Sequence, residues 1–157
     1  MPENTASAKL KTVLEYAREE AARRGDRRIG TDHLLLALLR DAAAPPARAL
    51  GVTLTQGRAA LDTLDRDALA AVGVHLDGLP LTASAARGKR WITLNSAARA
   101  AMVGGKQAAE RERGGWRMEP RHLLLSLLGA KHPDPAADLL SALALRADAV
   151  RERLAAA

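Results

Sequence analysis

The chain contains no cysteine and no phenylalanine, and its only aromatic side chains are Tyr16, Trp91 and Trp116. Without cysteine there are no disulfides, no thiolate metal sites and no cysteine nucleophile, a usage that fits a reducing compartment. No uncharged run approaches the ~18 residues of a membrane span. The opening Met1-Pro2-Glu3-Asn4-Thr5 also lacks the basic-then-apolar order of a secretory signal. A cytoplasmic protein is expected. With so few aromatics, Leu and Ala must build the core. Both are strong helix formers, whereas the β-branched and aromatic residues that sheets favour are scarce, so the composition points to an all-α fold. At 157 residues, such a chain can bury about 70% of its unfolded surface without covalent staples.

The formal charge is +6 and lies in one place. Nine Lys/Arg fall between Arg87 and Arg121 against Glu110, Glu112 and Glu119, an excess of six, and the rest of the chain balances. A stretch of this kind attracts phosphates, nucleic acid or an acidic partner, or forms a solvated helix face.

One internal repeat organises the sequence. Thr31-Asp32-His33-Leu34-Leu35-Leu36-Ala37-Leu38-Leu39 returns as Pro120-Arg121-His122-Leu123-Leu124-Leu125-Ser126-Leu127-Leu128. An Ala-rich amphipathic stretch precedes each copy, and a Pro-bearing break followed by two short apolar segments follows it. Helices are predicted over 7–24, 31–40, 45–50 and 54–64 in the first repeat. In the second they are predicted over 95–113, 120–128, 135–142 and 146–154. Thr31 reads as an N-cap, Pro120 as a first helical residue, and Thr53-Leu54-Thr55-Gln56 as a capping box. In the first helix Leu10, Val13, Leu14, Ala17 and Ala21 make one apolar stripe. The resulting division is 1–64, repeat 1; 65–92, a Gly- and Pro-containing linker; and 93–157, repeat 2. Neither four-helix unit has much apolar area alone, so two pseudo-symmetric units are expected to pack into one eight-helix body.

Several of these strings resemble one family. Val13-Leu14-Glu15-Tyr16-Ala17-Arg18-Glu19-Glu20-Ala21, Ile29-Gly30-Thr31-Asp32-His33-Leu34-Leu35-Leu36-Ala37-Leu38-Leu39 and Ala49-Leu50-Gly51-Val52 are similar to the Clp repeat pattern VLxxAxxEA…IGTEHLLLxLL…LGV. That pattern occurs twice in the N-terminal module of ClpA- and ClpC-type AAA+ unfoldases. The second copy departs from it, with Met118-Glu119-Pro120-Arg121-His122 in place of I-G-T-E-H. In the family this module recruits substrates and adaptor proteins for ATPase rings that follow in the same chain. No Walker A motif is present here, since Gln107 follows Gly105-Lys106 where Ser or Thr should bind Mg²⁺. The chain reads either as a stand-alone paralogue or as a piece of a longer unfoldase.

The resemblance to ClpC-type members further implies phosphoarginine recognition in each repeat. There the Glu of T-E-H pairs the guanidinium, and a Thr at the start of the first helix touches the phosphate. In repeat 1 these positions are Thr5 and Asp32, and Asp keeps the charge on a shorter side chain. In repeat 2 they are Thr93 and Arg121, and Arg121 inverts the charge, so the second site is expected to be degenerate. The family also accepts hydrophobic cyclic peptides in pockets built from aromatics. Those positions are Asn4, Ile92, Arg28 and Arg117 here.

His33 and His122 occupy equivalent places beside Leu triplets and read as residues satisfying buried hydrogen bonds. His75 and His132 complete no ligand spacing, so no metal is expected. No G-x-S-x-G or other nucleophile motif occurs, and no enzyme activity or cofactor is expected. The leading reading is a non-enzymatic protein-binding module of the Clp protease system, acting as adaptor, decoy or regulator toward substrates, adaptors or a ClpC-type unfoldase. The alternative is a nucleic-acid-binding protein that uses the basic stretch 87–121, with Trp91 and Trp116 available for stacking.

Overall fold

A computed structural model describes residues 3–75, 92–112 and 117–157, with residues 3–8 as backbone. Its elements are α1 (Glu3–Arg23), β1 (Arg28–Ile29), α2 (Thr31–Leu39), α3 (Pro45–Leu50), α4 (Leu54–Ala71), β2 (Thr93–Leu94), α5 (Ser96–Arg111), α6 (Pro120–Leu128), α7 (Pro135–Ala142) and α8 (Ala147–Ala156). The expected all-α architecture of two four-helix repeats is what the chain adopts.

The helix that is apolar all round is the one enclosed on all sides. Every residue of α2 except Asp32 is buried, and Leu34, Leu36, Leu123 and Leu124 are fully removed from solvent. Burial of one such leucine contributes roughly 1.5–3 kcal/mol. The stripe Val13, Ala17 and Ala21 of α1 lies on this core. Around it the contacts obey a pseudo-twofold relation. As α1 packs on α2, α5 packs on α6; as α3 of repeat 1 packs on α8, α4 packs on α7. Small residues set the closest approaches. A Cβ on Gly57 would stand 2.9 Å from both Leu36 and Leu39, and one on Gly105 would stand 3.3 Å from the Leu123 backbone.

Two local expectations are corrected. The N-cap of α2 is Gly30, with Thr31 at the first helical position, whereas Pro120 opens α6 as expected, after the cap Glu119. Thr31 is drawn away from capping because its hydroxyl donates to Asp134 Oδ1 at 2.7 Å and accepts from the Ala136 N–H at 3.2 Å. It thereby ties α2 to the start of α7. Helix α4 also runs to Ala71 rather than ending near residue 64. Arg24, its side chain 8% exposed, grips Asp62 (2.6 Å) and Asp65, while Arg58 holds the buried Glu20 at 2.5 Å. These two arginine clamps fasten α4 to Glu20 and Arg24, and the Arg24 clamp reaches Asp65, one turn past Leu61, the last buried residue of α4. The Thr53–Gln56 capping box forms as expected, in both directions.

A feature without a composition signal joins the repeats. β1 and β2 pair in parallel, Arg28 beside Thr93 and Ile29 beside Leu94, and the Asn95 N–H continues the ladder to the Ile29 carbonyl at 2.9 Å. The start of α2 is thus held against the start of α5.

Candidate functional site

Each repeat organises its second helix around a histidine. His33 Nδ1 accepts the Gly30 N–H at 2.8 Å, and His122 Nδ1 accepts the Glu119 N–H at the same distance. This is the return half of a capping box, with imidazole in place of Glu or Gln. An Nδ1 that accepts from a backbone N–H leaves the ring proton on Nε2. In repeat 1 that nitrogen lies 2.7 Å from Asp26; in repeat 2 it lies 3.0 Å from Glu112. Both imidazoles are almost wholly buried. They fix the N-termini of α2 and α6. Among the described residues no three His, Asp or Glu side chains gather to hold a metal ion.

Capping fixes where Asp32 stands, in the first turn of α2. Its side chain is 16% exposed, and Oδ1 lies 3.5 Å from His33 Nδ1. That nitrogen carries no proton, so the approach is not an ion pair. Asp32 pairs with no Lys or Arg among the described residues. Its charge is supported by the positive end of α2. An ideal Cβ on Gly30 would fall 2.5 Å from Asp32 Oδ1 and 3.3 Å from Asn95 Nδ2. The carboxylate of repeat 1 and the cap residue of α5 therefore flank one point in space, made accessible by the missing side chain of Gly30. Thr93, exposed in β2, is two residues before Asn95.

The structure therefore brings Asp32 together with the segment that carries Thr93, across the junction between the repeats. Thr5 lies in the first turn of α1, and its side chain is outside the described residues.

In repeat 2 the equivalent residue, Arg121, is a cation already paired. Arg121 donates from Nη1 and Nη2 to the two oxygens of Glu112, each at 2.5 Å, and from Nε to Glu119 at 2.7 Å. Such a two-pronged pair is the strongest match a carboxylate can offer a guanidinium. The hydrogen bond from Arg121 is the main cause holding the Glu112 carboxyl down at about 2; partial burial opposes it, and His122 adds to it. The same partner raises the Arg121 guanidinium above its ordinary value. Where repeat 1 presents a carboxylate with no Lys or Arg against it among the described residues, repeat 2 presents a cation held by two carboxylates, Glu112 and Glu119.

Glu112, Asn95 and Gly30 were not singled out by sequence. Asn95 was legible as a helix cap, and Gly30 as part of the family string. Nothing local marks Glu112, because its role depends on α5 ending beside the start of α6. Of the family's aromatic positions, Ile92 and Arg117 are half-buried and Arg28 is exposed. Trp91 and Trp116 lie outside the described residues, as do Arg87, Lys89, Arg90 and Arg113 of the basic stretch. No helix among the described residues is long and apolar enough to cross a membrane.

Comparison with known proteins agrees with this geometry. No curated protein matches the chain. Among solved structures it is similar to the crystal structure of the N-terminal domain of the caseinolytic protease associated chaperone ClpD from Arabidopsis thaliana. The TM-score is 0.66 at 15% identity, over 92% of this chain and 88% of that one, a likeness of fold. The model of the Clp repeat (R) N-terminal domain matches residues 5–87. With its two histidine-capped helices and its pseudo-twofold packing, the chain belongs to the Clp repeat N-terminal domain family, the protein-interaction module of Clp chaperones.

Proposed function

We propose that this chain is a non-enzymatic, cytoplasmic protein-binding module that acts as adaptor, decoy or regulator of a ClpC-type unfoldase, with one working degron pocket. The observation that carries this reading is the contrast between Asp32 and Arg121. Asp32 offers a partly exposed carboxylate with no Lys or Arg paired to it among the described residues, whereas Arg121 is consumed by Glu112 and Glu119.

A phosphoarginine side chain brings a guanidinium and a phosphate. The guanidinium suits the Asp32 carboxylate, and the phosphate suits backbone N–H groups at a helix start. In repeat 1 the acid is Asp32, and the anion-binding end is supplied by Thr93 and the first turn of α5, which contains no acidic residue. In the second pocket, at Arg121, no carboxylate is free to meet a guanidinium, because Glu112 and Glu119 are both held by Arg121. Cyclic-peptide ligands fit less well, since the positions at which the family carries aromatics hold Ile92, Arg28 and Arg117.

The functional test is a reconstituted degradation assay with a ClpC-type unfoldase, its peptidase and an arginine-phosphorylated substrate. Excess wild-type chain changes the degradation rate, and Asp32→Ala abolishes that change. An unaltered rate at large excess of wild-type chain contradicts the reading.

A further inference from the structure

The outer face of α5 departs from that of its counterpart α1. When the buried pairs Ala17/Ala21 and Gly105/Ala109 are superposed, Lys11, Glu15, Arg18 and Glu19 of α1 correspond to Arg99, Val103, Lys106 and Gln107. In α1 the charges balance, and Glu19 is paired with Arg40. In α5 both acids are gone. Arg99 and Lys106 are exposed and make no ion pair among the described residues, and Val103 between them is 56% exposed. The inner side of the helix explains none of this. It is fixed by Gly104 against Ser126 and by Gly105 against Met118 and the α6 backbone. A β-branched residue on the outer face of an Ala-rich helix serves neither packing nor propensity.

We propose that this face is a docking surface for an acidic amphipathic helix of a partner protein, with an aliphatic side chain seated on Val103 and carboxylates meeting Arg99 and Lys106. The two cations are seven residues, or two turns, apart, about 10 Å along the axis. A facing helix with acids at the same interval matches both at once.

Charge complementarity selects this occupant. The face lies within the basic stretch, so an acidic partner is attracted at long range as well as at contact. Glu110, one turn beyond Lys106, bounds the cationic stripe, so a helix whose acids meet only Arg99 and Lys106 ends short of it, whereas a nucleic acid would run its phosphates past it and gain nothing from Val103. The surface is distinct from the Asp32 pocket.

The probe is a helix-stabilised peptide of about four turns carrying Leu flanked by two Glu two turns apart, titrated into isotope-labelled protein and followed by NMR. Shifts concentrated on residues 96–111 are expected. Affinity should fall at least about tenfold in Val103→Asp and in the double variant Arg99→Glu, Lys106→Glu, with circular dichroism unchanged because these side chains touch no core residue. A peptide with Lys for Glu should not bind, and Asp32→Ala should bind as wild type does, which separates this test from that of the degron pocket. The proposal is overturned if no shifts appear on α5, or if Val103→Asp leaves affinity unchanged. It is also overturned if a single-stranded oligonucleotide displaces the peptide and its own binding needs Lys106 but not Val103.

Discussion

Arg121 places both terminal nitrogens on the carboxylate of Glu112, each 2.5 Å from its own oxygen. The pair joins the end of α5 to the start of α6, and it stands where the opposite repeat keeps an open acid. The two sides of the pseudo-twofold differ in the sign of one residue, Asp32 in repeat 1 and Arg121 in repeat 2.

The first prediction concerns pH. The Glu112 carboxyl titrates at about 2 in the folded chain instead of 4.5. A depressed carboxylate stabilises the fold above its ordinary value, and that contribution is lost as pH falls from about 4.5 toward about 2. Both partners are about one-third exposed, so solvent screening holds the pair to about 1 kcal/mol. Arg121→Gln should lower the melting temperature at pH 7, and the gap to wild type should shrink in a melt near pH 2. A gap independent of pH would mean that the ion pair is not its source.

The histidine caps give a second. Removing His33 leaves the buried Gly30 N–H without an acceptor and leaves a cavity beside Leu34. His33→Ala should cost about 2–4 kcal/mol in denaturant unfolding, and His122→Ala a similar amount. Neither zinc nor EDTA should move the wild-type melt, because neither imidazole has an open ligand position. A zinc-dependent rise in melting temperature would contradict the capping role.

A third concerns the clamp of α4. Glu20 is 1% exposed and its carboxylate is held by Arg58. Arg58→Ala strands a buried charge and should cost about 3 kcal/mol, whereas the double variant Glu20→Leu, Arg58→Leu should recover most of the loss. Urea unfolding of the three proteins checks it, and a double variant no better than the single would refute it.

The sequence made much of this legible, and the limits have physical causes. The 3.6-residue stripes and the repeated Leu triplets located the helices because burial dictates them. The histidines were readable as hydrogen-bonded residues because they recur beside those triplets. Thr31 was misread as a cap because its partner, Asp134, is 103 residues away. The end of α4 was missed because the residue that grips it, Arg24, lies just after α1 and shows no period that would announce it. The two-residue strands carry too little pattern to be seen. Asp32 was found by its place in the family string, whereas the β1–β2 pairing that sets it beside the segment of Thr93 carries no sequence signal. Glu112 gave no signal, since its value lies in a meeting of two helix ends.

A fourth prediction uses Gly30. A Cβ there would collide with Asp32 Oδ1 at 2.5 Å, which is the free end of a side chain, and Gly30 has φ −101, open to any residue. Gly30→Ala should leave the melting temperature within a few degrees of wild type while turning the carboxylate out of its place. A loss of ligand binding without a loss of stability is expected. A variant that binds as wild type does would show that the position of Asp32 is immaterial.

The central claim is one open pocket and one closed one, and calorimetric titration with free phosphoarginine tests it most directly. The account predicts saturation at one ligand per chain, abolished by Asp32→Ala and retained in Arg121→Gln. No heat at millimolar ligand, two sites per chain, or binding that survives Asp32→Ala would contradict it.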